Sequence, residues 1–480
     1  MATPASRVIS FRDNVANRHG ETYRSSAIFH LPPTDRVRTR ISFLNYWALK
    51  RDLQVAVVAS TRAMDGGLVG RERLRFERGP VVNYSPPVPE GFEGSVEIEV
   101  FAADNLVIPY AAIVAWYETA RGIGIVHSYA RAYSAHEVEE GRTLTRGREA
   151  CWSVADDGLT RSFCVFHNGS AAVPPQPIRL AVRTAQGERL EARWQLEALA
   201  PYQSVRIEPA DHIAGLVERL AGQVGQAEID FELGEGFTRM LVGHRRDGWE
   251  DLQVTHSNFN FTLQPTDMAG AGALGWMEVP ALDVERTEVV VYPQTVQGHY
   301  RVRHAGGVDD FRTGETLTFA PGQAQTLCFD AAEGALPTRL VTALRVAGSP
   351  GQLSNECSLG VITALQPPKR LWWGPIRCDE AQSQLLVHDL PQVWKGLPAD
   401  AVLLLRLFSA ARPEPLQAQW PADGLPQLAR GVAVDAIWPS AHEFLAGEPG
   451  YYTLYCDYGG LTAYTLTRNG AGSVCLEHGF

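Results

Sequence analysis

The chain has 480 residues, 45% of them hydrophobic and 20% charged, with 43 Lys and Arg against 54 Asp and Glu for a formal net charge of −11. That length exceeds what one hydrophobic core serves, and the composition falls in the globular range, which excludes wholesale disorder. An acidic balance without a basic block excludes a nucleic-acid partner, and the longest apolar stretch, Leu106 to Tyr117, is broken by Pro109 and too short for the ~20 residues of a spanning helix, so no membrane span is expected.

The N-terminal residues lack the apolar core of an export signal, which predicts a cytoplasmic protein. The first recognisable strand is Arg40 to Asn45, an apolar run ending in Phe-x-Asn, and a second run of the same kind is Ser162 to Asn168. Four landmarks then recur in one order: Asn45 with Asn168, Pro80 with Pro201, Val96 to Val100 with Ala227 to Phe231, and His127-Ser128 with His256-Ser257. Their offsets lie between 121 and 131 residues, so the first half of the chain reads as a tandem repeat. The second half continues it, with Leu317 to Pro321 echoing the strand-proline step and Ile437 to Leu445 echoing Ile207 to Leu216.

Period-2 alternation punctuated by Gly and Pro predicts antiparallel strands, and Ala155 to Gly158 carries a hairpin signal. Helices are expected to be few and short: one turn capped by Asp211, and one capping box at Ser440 and Glu443. The fold class is therefore all-β, as tandem antiparallel β-sandwich modules. They are expected at 1–147 with an N-terminal extension, 148–265, 281–366 and 370–480, with linkers over 264–280 and 366–375. The seven cysteines are scattered and odd in number, so neither a disulfide framework nor a zinc ribbon is expected.

Gly270, Gly272 and Gly275 match G-x-G-x-x-G in form, but a proline precedes them and no helix is expected after them, so the run reads as a linker and implies no nucleotide. No P-loop, nucleophile elbow or H-E-x-x-H occurs, so no cofactor follows from motif. The candidate binding residues are His127, Tyr129, His136, Glu137, His244, His256 and Asn258. His127 and His256 hold equivalent places in two repeats and serve either as satisfied core histidines or as a shared site. His136 and Glu137 supply metal-ligand chemistry, yet nine residues part His127 from His136, which places them on opposite faces of an extended strand. His244 reads as a surface histidine beside a Gly-Trp turn.

Exposed aromatics are what sandwich modules use to stack sugars, with Trp116, Tyr117, Tyr129, Tyr133, Trp249, Phe259 and Phe261 as candidates, whereas Trp372 and Trp373 are expected to pack at a junction. The sequence as a whole favours a non-catalytic binding or scaffold protein for a carbohydrate or protein partner. The alternatives are a hydrolase or lyase with a histidine-based site, with or without a metal, where the first two modules meet, and a structural subunit of a larger assembly.

Overall fold

The computed structural model describes residues 23–102, 113–127, 131–133, 144–234, 240–257, 272–292, 299–312, 315–336, 340–363 and 368–480. The first unit contains β1 (Tyr23–Leu31), β2 (Arg38–Leu44), β3 (Ala56–Ala63), β4 (Leu68–Leu74), β5 (Val81–Tyr84), β6 (Gly94–Ala102), β7 (Val114–Glu118) and β8 (Ile123–His127). One sheet runs β4-β3-β6-β1, with a short β9 (Arg131–Tyr133) beyond β1, and the other runs β5-β2-β7-β8. All these pairings are antiparallel.

The same two orders, fourth-third-sixth-first and fifth-second-seventh-eighth, return in three further units whose first strands begin at Leu144, Leu274 and Leu371. The protein is thus all-β, a series of sandwich-like units. Local sequence explains the strands: Arg189–Leu196 alternates exposed and half-buried residues along its length, and Val402–Phe408 alternates exposed with buried leucines. The few short helices occupy connections. Asn45 caps Tyr46–Arg51 by accepting from the Ala48 amide (3.3 Å), and in the second and fourth units two short helices join the fifth strand to the sixth.

The repeat holds its register at the asparagine and histidine landmarks and shifts by two residues at the proline. The Asn45 amide donates to the Pro80 carbonyl (2.7 Å) and the Asn168 amide to the Gln203 carbonyl (2.8 Å), so Asn45 matches Asn168, while Gln203 rather than Pro201 takes the place of Pro80. Val114 pairs with His127 and Leu241 with His256, on seventh strands set in the same register, which makes the two histidines structural equivalents.

Each fifth-second-seventh-eighth sheet has a second apolar face, and a neighbouring unit covers it. Phe163, Val165, Leu252 and Val254 of the second unit join the core of the first, and Val114, Trp116 and Ile125 of the first pack on Trp373, Phe408 and Tyr451 of the fourth. Leu386, Tyr464 and Leu476 of the fourth join the core of the third, and Val290 and Ala343 of the third meet Cys151 of the second. These contacts close a ring of four units and bring their four eighth strands, β8, Asp251–His256, Asn355–Gly360 and Val474–His478, together at its centre.

Several local expectations are corrected. Ala155 to Gly158 is no hairpin, because the strands it joins, Leu144–Val154 and Thr160–His167, belong to different sheets and the turn is a crossover between them. Ser440 sits at the N-cap of Ala441–Leu445 without a side-chain hydrogen bond, and Glu443 instead faces Arg412 (3.4 Å). Asp211 lies inside the helix Pro209–His212 and pairs with Arg161. Within the stretches read as linkers, Leu274–Val279 and Leu371–Ile376 are the first strands of their units. All seven cysteines are buried and unbonded to one another.

Candidate functional site

Three of the four eighth strands end on a histidine, namely His127, His256 and His478, and the remaining one ends on Gly360. Because those strands share the ring centre, the histidines converge. His127 Nε2 lies 3.0 Å from His256 Nε2, with the rings edge to face at 4.4 Å, and the His127 ring also meets that of His478 edge to face at 5.1 Å. On its other side, His127 Nδ1 is 3.3 Å from both carboxylate oxygens of Glu477. The Glu477 carboxylate also accepts from the His478 amide (3.0 Å).

Backbone carbonyls orient the two outer rings. His256 Nδ1 donates to Ser257 O and His478 Nδ1 donates to Gly479 O, each at 2.9 Å. Burial dominates the electrostatics. It pushes the Glu477 carboxyl up to about 7 against the opposing pull of His478, and it pushes the His478 imidazole down to about 4 although Glu477 favours the charged form.

Beside this cluster lies a cavity of about 470 Å³ between the third and fourth units. Gly360 and His478 both line it, so the cavity adjoins the strand end that carries no side chain. Trp276, Trp372, Trp394, Tyr464 and Phe480 supply aromatic surface, and Glu278, Thr462 and Lys369 supply polar groups. Lys369 Nζ sits over the Trp372 ring, 4.4 Å from its centre. Burial, reinforced by Asp389, pushes the Glu278 carboxyl up to about 7 even though Thr326 Oγ1 donates to it (2.5 Å). Among the described residues the buried Trp372 Nε1 and Thr462 Oγ1 have no hydrogen-bond partner, which leaves polar capacity in the cavity wall.

Among the residues singled out from sequence, the structure joins His127 to His256. It separates His244, which is buried in the strand Leu241–Arg246 rather than on the surface. Its Nδ1 lies 3.0 Å from Ser162 Oγ, and it pairs across the sheet with Gln253, because that part of the sheet is covered by the third unit. Tyr129, His136, Glu137 and Asn258 fall outside the described residues, as do Phe259 and Phe261.

The aromatic candidates Trp116, Tyr117 and Trp249 are core residues rather than stacking faces. Tyr117 OH donates to His30 O (2.8 Å), and Trp249 lies between the first two units with Arg206 and Arg245 over its ring. Trp373 packs at a junction, stacked on Tyr46 of the first unit, whereas its neighbour Trp372 lines the cavity.

Glu477, His478 and the cavity residues were missed by sequence reasoning. The available signal was the histidine that closes Val474–His478, which becomes visible once the eighth strands of all four units are superposed. No helix among the described residues is long and apolar enough to cross a membrane. No family model and no curated protein matches the chain, so its function is read from this geometry alone.

Proposed function

We propose that the chain is a binding protein whose four-unit ring presents one aromatic cavity to a small, ring-bearing polar ligand of the carbohydrate class. The observation that carries this reading is the lining of the 470 Å³ cavity, where three tryptophans surround a few polar groups. Apolar ring faces of a sugar stack on such surfaces while its hydroxyls reach the polar groups between them. Glu278 is held largely as the neutral acid below about pH 7 and then donates as well as accepts, which suits a hydroxyl ligand.

Titration calorimetry of the full chain against a panel of mono- and disaccharides tests the reading. Binding that falls about tenfold in Trp394→Ala and in Trp276→Ala is the expected result. A panel in which no sugar binds, or binding that both variants retain unchanged, overturns it.

A second reading, a hydrolase or lyase, is favoured by one observation: His478 lines the cavity and also belongs to the buried cluster with Glu477 and His127. Turnover of a cavity ligand that is lost in His478→Gln while ligand binding persists would establish it.

A further inference from the structure

The hydrogen bonds around the histidine cluster determine where its protons sit. A carbonyl oxygen cannot donate, so His256 must carry its proton on Nδ1 to meet Ser257 O, and its Nε2 then offers a lone pair. His127 Nε2, 3.0 Å away, must therefore be the donor in that contact. In a neutral His127 the remaining nitrogen, Nδ1, offers its lone pair towards Glu477. The same logic puts the proton of His478 on Nδ1, held by Gly479 O, and leaves its Nε2 as a lone-pair donor.

Three electron-pair donors consequently converge in the protein interior: His127 Nδ1 lies 3.3 Å from the Glu477 oxygens, His478 Nε2 lies 3.9 Å from Glu477 Oε1, and the three residues each offer a ligand atom within 4.8 Å of the others. Two such groups are reconciled by one shared proton. A third converging donor has no use for that proton, but it has one for a metal ion.

We infer that His127 Nδ1, the Glu477 carboxylate and His478 Nε2 form a binding site for one divalent transition ion of the zinc class. Two nitrogens and one carboxylate are the ligand set of open, catalytic-type sites. Ligand atoms about 2.1 Å from a shared tetrahedral ion stand roughly 3.4 Å apart. The 3.3 Å between His127 Nδ1 and each Glu477 oxygen matches that separation, and the His478 ring, 24% exposed, has to close by on the order of 1 Å.

The outer partners fit as well. His256 accepts from the far nitrogen of His127, and Gly479 O accepts from that of His478, which are the supports that orient metal-bound imidazoles. His478 lines the cavity, so a position on the ion left open by protein ligands would face its contents. The inference does not depend on the ligand proposed for that cavity.

The test uses the full chain, stripped with a chelator and titrated calorimetrically with Zn²⁺ in the absence of any sugar, with bound metal counted by mass spectrometry. One ion per chain is expected, bound at least about tenfold more weakly in Glu477→Gln and in His478→Gln. Substitution with Co²⁺ should give ligand-field absorption that His478→Gln alters. Because His127 of the first unit is packed against His256 of the second and Glu477 and Phe480 of the fourth, and its removal endangers folding, His478→Gln at the cavity wall carries the decision. Its stripped form should melt close to the stripped wild type. Failure of the stripped wild type to bind Zn²⁺, or equal affinity in both variants and the wild type, overturns the site.

Discussion

Asn355 Nδ2 donates to Gln253 Oε1 across 3.1 Å, and through this one contact the side chains of two units hold together the backbones of the other two. Gln253 Nε2 is 2.9 Å from Ile123 O of the first unit and 3.0 and 3.2 Å from Ser473 Oγ and Val474 O of the fourth. Asn355 Oδ1 accepts from the Leu476 amide (2.8 Å). Four apolar joints alone would let neighbouring units slide, whereas directional hydrogen bonds at the centre specify their register.

Gln253→Ala should therefore destabilise the whole ring rather than one unit. The substitution leaves the buried Ile123 carbonyl and Asn355 amide without this partner, at a cost of about 1–3 kcal/mol for each group so exposed to desolvation. Gln253→Glu keeps the shape but replaces a donor with an acceptor opposite two carbonyls, and it should be the worse variant. Denaturant midpoints of the two variants check the order, and equal stability of Gln253→Ala and wild type would remove Gln253 from this role.

Much of the frame was legible in the residues. Asn45 and Asn168 mark equivalent ends of second strands because each backbone amide bonds to the carbonyl just before the fifth strand, and His127 and His256 recur because each ends an eighth strand. The ring was not legible. Its joints are built from apolar residues such as Val114, Phe163 and Tyr464, which alternate along strands just as core residues do, so sequence cannot tell an outer face covered by a neighbour from an inner face. Glu477 and His478 escaped for a related reason. Val474–His478 lacks the His-Ser pair of the earlier repeats, and the partners that give its residues meaning lie about 350 residues away.

Glycines at the joints give an independent check on the ring. A Cβ on Gly79 would lie 2.0 Å from Ser409 O of the fourth unit, and one on Gly348 would lie 2.1 Å from Gly472 O. Neither glycine has a positive φ, so the close approach of a neighbouring backbone is the constraint. Gly79→Ala and Gly348→Ala should each cost about 1–3 kcal/mol by overpacking. Gly70, on the edge strand β4 with open space around it, is the control, and Gly70→Ala should stay within about 0.5 kcal/mol of wild type. Thermal melts of the three variants separate the cases.

The joint between the first and fourth units rests on Tyr46 and Trp373, whose rings stack at 3.8 Å and 17° with Lys50 Nζ 5.1 Å from the Tyr46 ring centre. Both aromatics are buried. Trp373→Ala should cost about 3–5 kcal/mol. A double-mutant cycle with Tyr46→Ala should return a coupling of about 0.5–1.5 kcal/mol, while additive effects would show that the rings only fill space.

Adjacent aspartates in the crossover of the second unit titrate in opposite directions. Burial pushes the Asp156 carboxyl up to about 6, with Glu208 adding to the shift and Ser162 and Arg161 opposing it. Burial also acts on Asp157, but the amides of Thr160 and Leu159, 2.6 and 3.0 Å from its Oδ1, outweigh it and hold that carboxyl below its usual range. For Asp156 the folded protein binds the proton more tightly than the unfolded chain does. Its contribution is then fully present below pH 3.8 and is lost as pH rises through about 6.

Asp156→Asn keeps an oxygen able to accept from the Ser162 amide (3.2 Å) and carries no charge at any pH. Relative to wild type it should be near neutral at pH 4 and more stable at pH 8, by up to about 3 kcal/mol. Asp157→Asn should show the reverse dependence, since a carboxyl held below its usual range stabilises the fold above its unfolded pKa and loses that stabilisation as pH falls. Urea unfolding decides both points, between pH 4 and pH 8 for Asp156→Asn and from pH 7 to below pH 3.8 for Asp157→Asn, and a difference between Asp156→Asn and wild type that does not change with pH would show that the Asp156 carboxyl titrates alike in the folded and unfolded chain.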